Sequence, residues 1–175
     1  MLDTDRLAEY PDRRYRRPMT THKRRDVVVA WLFVGIQFVF LGVMVLFPRD
    51  TAWIPSELMR IGGAVAMAAG VILGLWGALY LGRGLTPLPL PNGGTTLVTT
   101  GPYTLVRHPI YAAVMLLGVG ITIRAGSWIV AIAFVALVVL FHVKSRWEET
   151  HLVDAFPGYD RYVEETGRFL PAFGR

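Results

Sequence analysis

The chain contains no cysteine. That absence excludes a disulfide framework, a thiolate nucleophile and any cysteine-ligated metal site, and it leaves the redox compartment open. Charge is scarce as well: Asp, Glu, Lys and Arg make up 18% of the 175 residues, against about 25% in an ordinary soluble domain. A phosphate-cradling glycine loop is also missing, because Gly82-Arg83-Gly84 lacks both the third glycine of GxGxxG and a preceding strand. What fills the space is apolar. Hydrophobic residues reach 53%, aromatic residues 12%, and the mean hydropathy is +0.43, values that place the chain in a membrane.

The net charge of +5 informs mainly through its placement. Eight of the eighteen Lys and Arg residues lie within the first 25 positions. A basic arm of this kind can bind nucleic acid, but here it abuts an apolar span, so we expect contact with anionic lipid headgroups and no nucleic-acid partner. Val27 to Phe47 is 21 residues without a charge. It exceeds a signal-peptide core and is read as a retained transmembrane helix. A second span runs from Leu58 to Leu81, where Gly62, Ala66, Gly70, Gly74 and Ala78 recur every four residues. We expect that ridge to pack against another helix, since small residues let backbones approach in lipid.

Residues 86 to 106 change character, with Pro87, Pro89 and Pro91 followed by the glycine pair Gly93-Gly94, and read as an ordered loop. Pro109 suits a first helical position, with His108 just outside. Ile110 to Ile123 and Trp128 to Val143 are short for independent spans, and suit a hairpin turned at Arg124 to Ser127. The last helix is expected to continue past the membrane until Phe156-Pro157-Gly158 ends it. Placing both termini in the cytoplasm puts fifteen of the eighteen basic residues on one side, and only Arg49, Arg60 and Arg124 on the other. The expected architecture is therefore an all-α integral membrane protein of about four transmembrane helices, the last two a helical hairpin, with a cytoplasmic pocket. Residues 1–25 form the basic arm, 26–84 two transmembrane helices, and 85–175 the region that carries chemistry; the membrane expected is a prokaryotic plasma membrane.

That topology brings two polar stretches to one face. Arg107, His108 and the free N–H groups at the start of a helix form an anion-binding corner. Glu148 and Glu149 offer acceptors for hydroxyls or an ammonium, and Tyr103, Tyr111 and Trp147 offer π faces to a cation. A ligand bearing a carboxylate, an ammonium, ribose hydroxyls and a sulfonium would use all of them, and S-adenosylmethionine is such a ligand. Taken singly, each residue has a plainer role. Arg107 can neutralise lipid phosphate, His108 can cap a helix, the tyrosines can anchor at the interface, and the glutamates can form a solvated face with Lys144 and Arg146. His142 and His151 have no companion ligands, so no metal site is expected.

Leu97-Val98-Thr99-Thr100-Gly101-Pro102-Tyr103, then Arg107-His108-Pro109-Ile110-Tyr111, then Glu148-Glu149-x-x-Leu152-x-x-x-Phe156 and Tyr159-x-x-Tyr162 together resemble the isoprenylcysteine carboxyl methyltransferase family and its bacterial phospholipid methyltransferase relatives. The resemblance implies a membrane enzyme that binds S-adenosylmethionine and methylates a lipophilic acceptor entering from the bilayer, a prenylcysteine-like carboxylate or a lipid amine. It places cofactor contacts on Thr95, Thr96, Leu97, Val98, Tyr103, His108, Pro109, Ile110, Tyr111 and Glu148, and a basic residue near the acceptor on Lys144; by their own chemistry Arg107 and Glu149 join the expected cofactor contacts, and Glu148, Lys144 and His108 are the expected catalytic residues. The chain departs from the family pattern in having Thr95 where relatives often carry His, and Lys144 where the isoprenylcysteine enzymes carry Arg. The alternative from another class is a non-enzymatic four-helix scaffold or small transporter.

Overall fold

The computed structural model describes residues 23–47, 52–90 and 96–172. Most of the basic arm and Thr95 lie outside them. The described residues form five α-helices and no strand: α1 Arg24–Leu46, α2 Glu57–Leu81, α3 Pro109–Ala125, α4 Trp128–Ala155 and α5 Tyr159–Glu165. Helices α1, α2 and α4 are long and apolar enough to cross a membrane. α3 is shorter, at 17 residues, or about 26 Å. Large apolar side chains stand outward along α1, α2 and α4, with Leu46 82% and Leu79 79% exposed, as a lipid-facing surface requires.

Local chemistry sets the helix ends. Ser56 caps α2 by accepting from the Met59 N–H, and Ser127 caps α4 by accepting from Val130. Pro109 opens α3 as its first residue. Gly126 closes it with φ +64, a left-handed conformation that favours glycine. A β-carbon there would also meet the Trp53 carbonyl at 2.3 Å. That close approach lets Ala52 and Trp53 donate to the Gly126 carbonyl, which ties the α1–α2 connection to the α3–α4 turn.

α3 packs most extensively against α2, through a ridge that shares Gly70 and Gly74 with the expected one and departs from it elsewhere. Gly62 has open space beside it, whereas Gly63, Gly70 and Gly77 are buried against α3. The reason is geometric. Each four-residue step turns about 40° past a full rotation, so a strict i+4 series winds around the helix. A seven-residue step falls only about 20° short of two turns, and so stays on one face. Gly70 faces the Ala113 carbonyl, and Gly120 faces the Gly63 carbonyl; added β-carbons would lie 2.8 Å and 2.4 Å from those oxygens. Gly120→Ala is therefore expected to lower unfolding free energy in detergent by about 1–3 kcal/mol, and Gly62→Ala to leave it unchanged. Equal melting temperatures for the two variants would refute this interface.

α1 and α4 run antiparallel, with Phe33 against Trp147 (ring centroids 5.7 Å apart) and Gln37 against Lys144. Met44, Val130, Ala133, Leu137 and Phe141 form the buried core between α1, α3 and α4. Beyond it α4 continues to Ala155, where the polar residues begin.

Candidate functional site

The chain returns to its own middle to build the site. After α5, residues 166–169 run alongside Val106 to His108, with Val106 and Gly167 forming a parallel bridge. The Arg107 N–H donates to the Gly167 carbonyl (2.8 Å) and the His108 N–H to the Arg168 carbonyl (3.1 Å). This fixes the backbone entering α3, so the side chains of Arg107 and His108 project toward α4 from a clamped segment. α5, Tyr159–Glu165, is what aims the tail back.

Glu149 sits at the centre, buried. Its Oε1 accepts from Arg107 Nε (2.9 Å), His108 Nε2 (3.1 Å) and Arg168 Nε (3.2 Å), and its Oε2 accepts from Arg168 Nη2 (2.5 Å). Arg107 Nη1 also donates to the carbonyls of Val163 and Thr166 at the end of α5. One carboxylate thus gathers three basic groups and joins α3, α4, α5 and the tail. The plainer reading of Glu148 and Glu149 as a solvated face paired with Lys144 and Arg146 is overturned, because the partners come from distant segments and Arg146 is exposed.

Glu148, next in the chain, is placed differently. Its Oε2 accepts from the Tyr111 hydroxyl at 2.7 Å and lies 3.8 Å from His108 Nδ1. Among the described residues nothing engages its Oε1. His108 stacks on Tyr111 (5.3 Å, 6°), and Tyr111 stacks on Phe141 (4.9 Å, 9°), a three-ring column along the start of α3. His108 occupies the N-cap position, but its side chain makes no cap hydrogen bond, which leaves the first N–H groups of α3 to another partner. Lys144, one turn before Glu148, is 2% exposed; its Nζ donates to Gln37 Oε1 (2.8 Å) and stands 5.1 Å from the Tyr111 ring centroid.

Tyr103 lies in a 3-10 turn at Gly101–Thr104, its hydroxyl donating to the Gly77 carbonyl (3.5 Å) while its own carbonyl accepts from the Tyr162 hydroxyl (2.5 Å). Burial, and then the negative charge of Glu148, push the Tyr103 phenol up to about 12; burial likewise raises Tyr159 and Tyr162. All three therefore stay neutral hydrogen-bond donors at physiological pH.

Of the residues expected at the site, Arg107, His108, Tyr111, Lys144, Glu148 and Glu149 are brought together. Pro109 and Ile110 pack instead against Gly77 of α2. Thr96, Leu97 and Val98 form irregular chain, with Thr96 exposed, and none of them hydrogen-bonds to the cluster. Sequence reasoning missed Arg168, Phe141 and Gln37; of these only Gln37, a lone amide in an apolar run, carried a visible signal. A polar recess of about 470 Å³ opens beside Arg107, between Val163 and the tail from Thr166 to Ala172. Its walls include neither Tyr111 nor Glu148.

The chain belongs to the phospholipid methyltransferase family, whose model matches residues 58–158, and with it to the isoprenylcysteine carboxyl methyltransferase-like family of membrane methyltransferases. It is similar to the cobalt-zinc-cadmium resistance protein CzcN of Cupriavidus metallidurans, 29% identical over 150 residues, covering 84% of this chain and 64% of that one. It is also similar to the nickel-cobalt-cadmium resistance protein NccN of Alcaligenes xylosoxydans xylosoxydans, 32% identical over 124 residues, covering 70% of this chain and 54% of the relative. The chain spans less than two thirds of the length of either relative.

Proposed function

We propose that the chain is an S-adenosylmethionine-dependent methyltransferase acting on a lipophilic acceptor delivered through the bilayer, a prenylcysteine-like carboxylate or a lipid amine. The observation that carries this is Glu148, a half-buried carboxylate with one unengaged oxygen, standing beside the His108–Tyr111–Phe141 ring column at the uncapped start of α3. These groups fit the cofactor. The carboxylate matches ribose hydroxyls or the ammonium, the helix N–H groups match the carboxylate, and ring faces suit an adenine or a sulfonium. Arg107 and Glu149 then serve by position, since their polar atoms are spent holding His108 and the tail.

When bound, S-adenosylmethionine supplies an electrophilic methyl group for in-line transfer. The chain's residues align donor and acceptor and exclude water, and such positioning can lower the barrier by about 7–11 kcal/mol. A carboxylate acceptor needs no base. An amine must lose its proton, and Glu148 and His108 are the groups placed to take it, because the oxygens of Glu149 are committed to Arg107, Arg168 and the His108 Nε2. In this reading four helices cross the membrane, α3 and α4 as a hairpin, with both termini and the cofactor pocket on the cytoplasmic side of a prokaryotic plasma membrane. Pairing α3 with α4 does not compete with the α2 contact, since α3 has a face for each.

The relatives are named for metal resistance. Among the described residues no group of three or more His, Cys, Asp or Glu is placed to hold a metal ion. In such a setting we assign this chain methyl transfer to a membrane component instead of metal holding. Tritiated S-adenosylmethionine is expected to bind the detergent-purified full chain in about 1:1 ratio, displaceable by S-adenosylhomocysteine. Absence of saturable binding would favour the scaffold or transporter alternative.

A further inference from the structure

At the end of α2 and α3 away from the Glu149 cluster, two arginines stand without an acid. Arg60 lies in the first turn of α2 and Arg124 in the last turn of α3, both exposed. The Arg124 stem crosses α2 over Gly63, where an added β-carbon would lie 3.0 Å from its Cγ. Its Nη1 then donates to the Arg60 carbonyl (3.1 Å), and Arg60 Nε donates to the Pro55 carbonyl (3.3 Å). A guanidinium carries five N–H donors, so each is aimed by one backbone oxygen and keeps the rest for another partner. Among the described residues no carboxylate pairs with either arginine, Glu57 of the same turn included. Packing of α3 on α2 uses one Arg124 donor and gives no reason for a second cation. Trp53 and Trp128 meet edge to face at this same end, their ring centroids 5.4 Å apart, and tryptophan favours the headgroup level of a membrane. The Trp53 indole N–H is buried with no acceptor among the described residues, a further donor that the chain leaves unused. Ala64, Val71 and Leu75 share the Arg60 face of α2 by helical spacing, and all three are exposed.

We propose that Arg60 and Arg124 hold the phosphate of an anionic phospholipid, whose acyl chains lie along Ala64, Val71 and Leu75. Guanidinium suits phosphate because its planar fork reaches two oxygens at once and is weakly hydrated. Two uncompensated positive charges favour a headgroup of net negative charge over a zwitterionic one, whose own ammonium they repel. Gly63 is the notch that seats Arg124, so the site exists only where α2 and α3 touch, and a bound lipid joins the ends of the two helices. In the topology proposed above, this end lies in the leaflet opposite the cofactor pocket. The site does not rest on the methyltransferase reading.

The test uses the full chain in detergent, as wild type, Arg60→Gln, Arg60→Lys and the double variant Arg60→Gln/Arg124→Gln. Each is challenged with phosphatidylglycerol and with phosphatidylcholine of the same acyl chains, and retention is read by native mass spectrometry. Wild type is expected to retain phosphatidylglycerol about tenfold over phosphatidylcholine. The double variant should lose that preference, Arg60→Gln should lower it about threefold, and Arg60→Lys, which keeps the charge, should hold it within about twofold. Arg60→Gln leaves the Arg124 bond to the α2 backbone in place, so it decides the matter even where the double variant does not fold. A retention ratio unchanged in Arg60→Gln overturns the proposal. So does a double variant with a lower melting temperature and the wild-type ratio, because that result assigns the pair to helix packing alone. S-adenosylmethionine binding is expected to be the same in wild type and Arg60→Gln, and its absence from both would overturn the methyltransferase reading without touching the lipid site.

Discussion

Glu148→Ala is expected to abolish methyl transfer, lowering kcat/KM by about 10²–10⁴ and removing calorimetric binding of S-adenosylmethionine. The size follows from the acceptor's charge. A hydroxyl donating to an ionised carboxylate contributes about 1.5–3 kcal/mol, and two ribose hydroxyls double it. Glu148 has the capacity, since only its Oε2 is engaged, by Tyr111 at 2.7 Å. The fold does not depend on it, so the variant's melting temperature should stay close to wild type. His108→Ala is expected to cause the same loss for a different reason, because it removes the ring that stacks on Tyr111 at 5.3 Å and faces both glutamates. Tyr111→Phe retains the ring column and loses only the hydroxyl, so it should cost about tenfold. Full activity with wild-type cofactor affinity in Glu148→Ala would overturn the site assignment.

Glu149→Ala should act on stability instead, lowering unfolding free energy by about 3–5 kcal/mol, the cost of leaving buried charge without its partner. Among the described residues its carboxylate is the only acid that Arg107, His108 and Arg168 share, and the Arg107 side chain is only 6% exposed. Without it the guanidinium of Arg107 keeps only the Val163 and Thr166 carbonyls, and Arg168 loses its anchor. The tail is expected to detach first, giving faster proteolysis after Glu165 than within α4. Thermal unfolding in detergent combined with limited trypsin digestion reads both effects. A melting temperature and digestion pattern matching wild type would show that the cluster is not what holds the tail.

These paired expectations separate two adjacent residues that the sequence treats alike. Glu148-Glu149 follows Lys144 and Arg146 in an ordinary helical charge run, and spacing alone assigns both glutamates to those neighbours. The fold sends them to opposite tasks, since successive helical residues point about 100° apart. One meets Tyr111 and keeps an oxygen free, while the other meets three basic groups from α3 and the tail. Arg107 shows the same limit. It reads as an anion-binding or lipid-facing cation, yet its contacts include carbonyls 56 and 59 residues away, a separation that no local pattern encodes.

Much else was local and therefore legible. The high apolar content and the long uncharged runs determined a helical membrane protein, because lipid offers the backbone no hydrogen-bond partner and only closed structures satisfy it there. Pro109 and Pro157-Gly158 marked where α3 begins and α4 ends, because proline and glycine act on the backbone at their own positions. The stretch around Arg107, His108 and Tyr111 and the stretch around Lys144 and Glu148 pointed to one face through the asymmetry of charge. Tertiary structure alone decided that Gly63, Gly70 and Gly77 form the α2 contact ridge, that Gln37 meets Lys144, and that the tail returns to clamp His108. Those outcomes depend on how far a face rotates along a helix and on which distant segment finally buries a charge, and both are settled only when the helices pack.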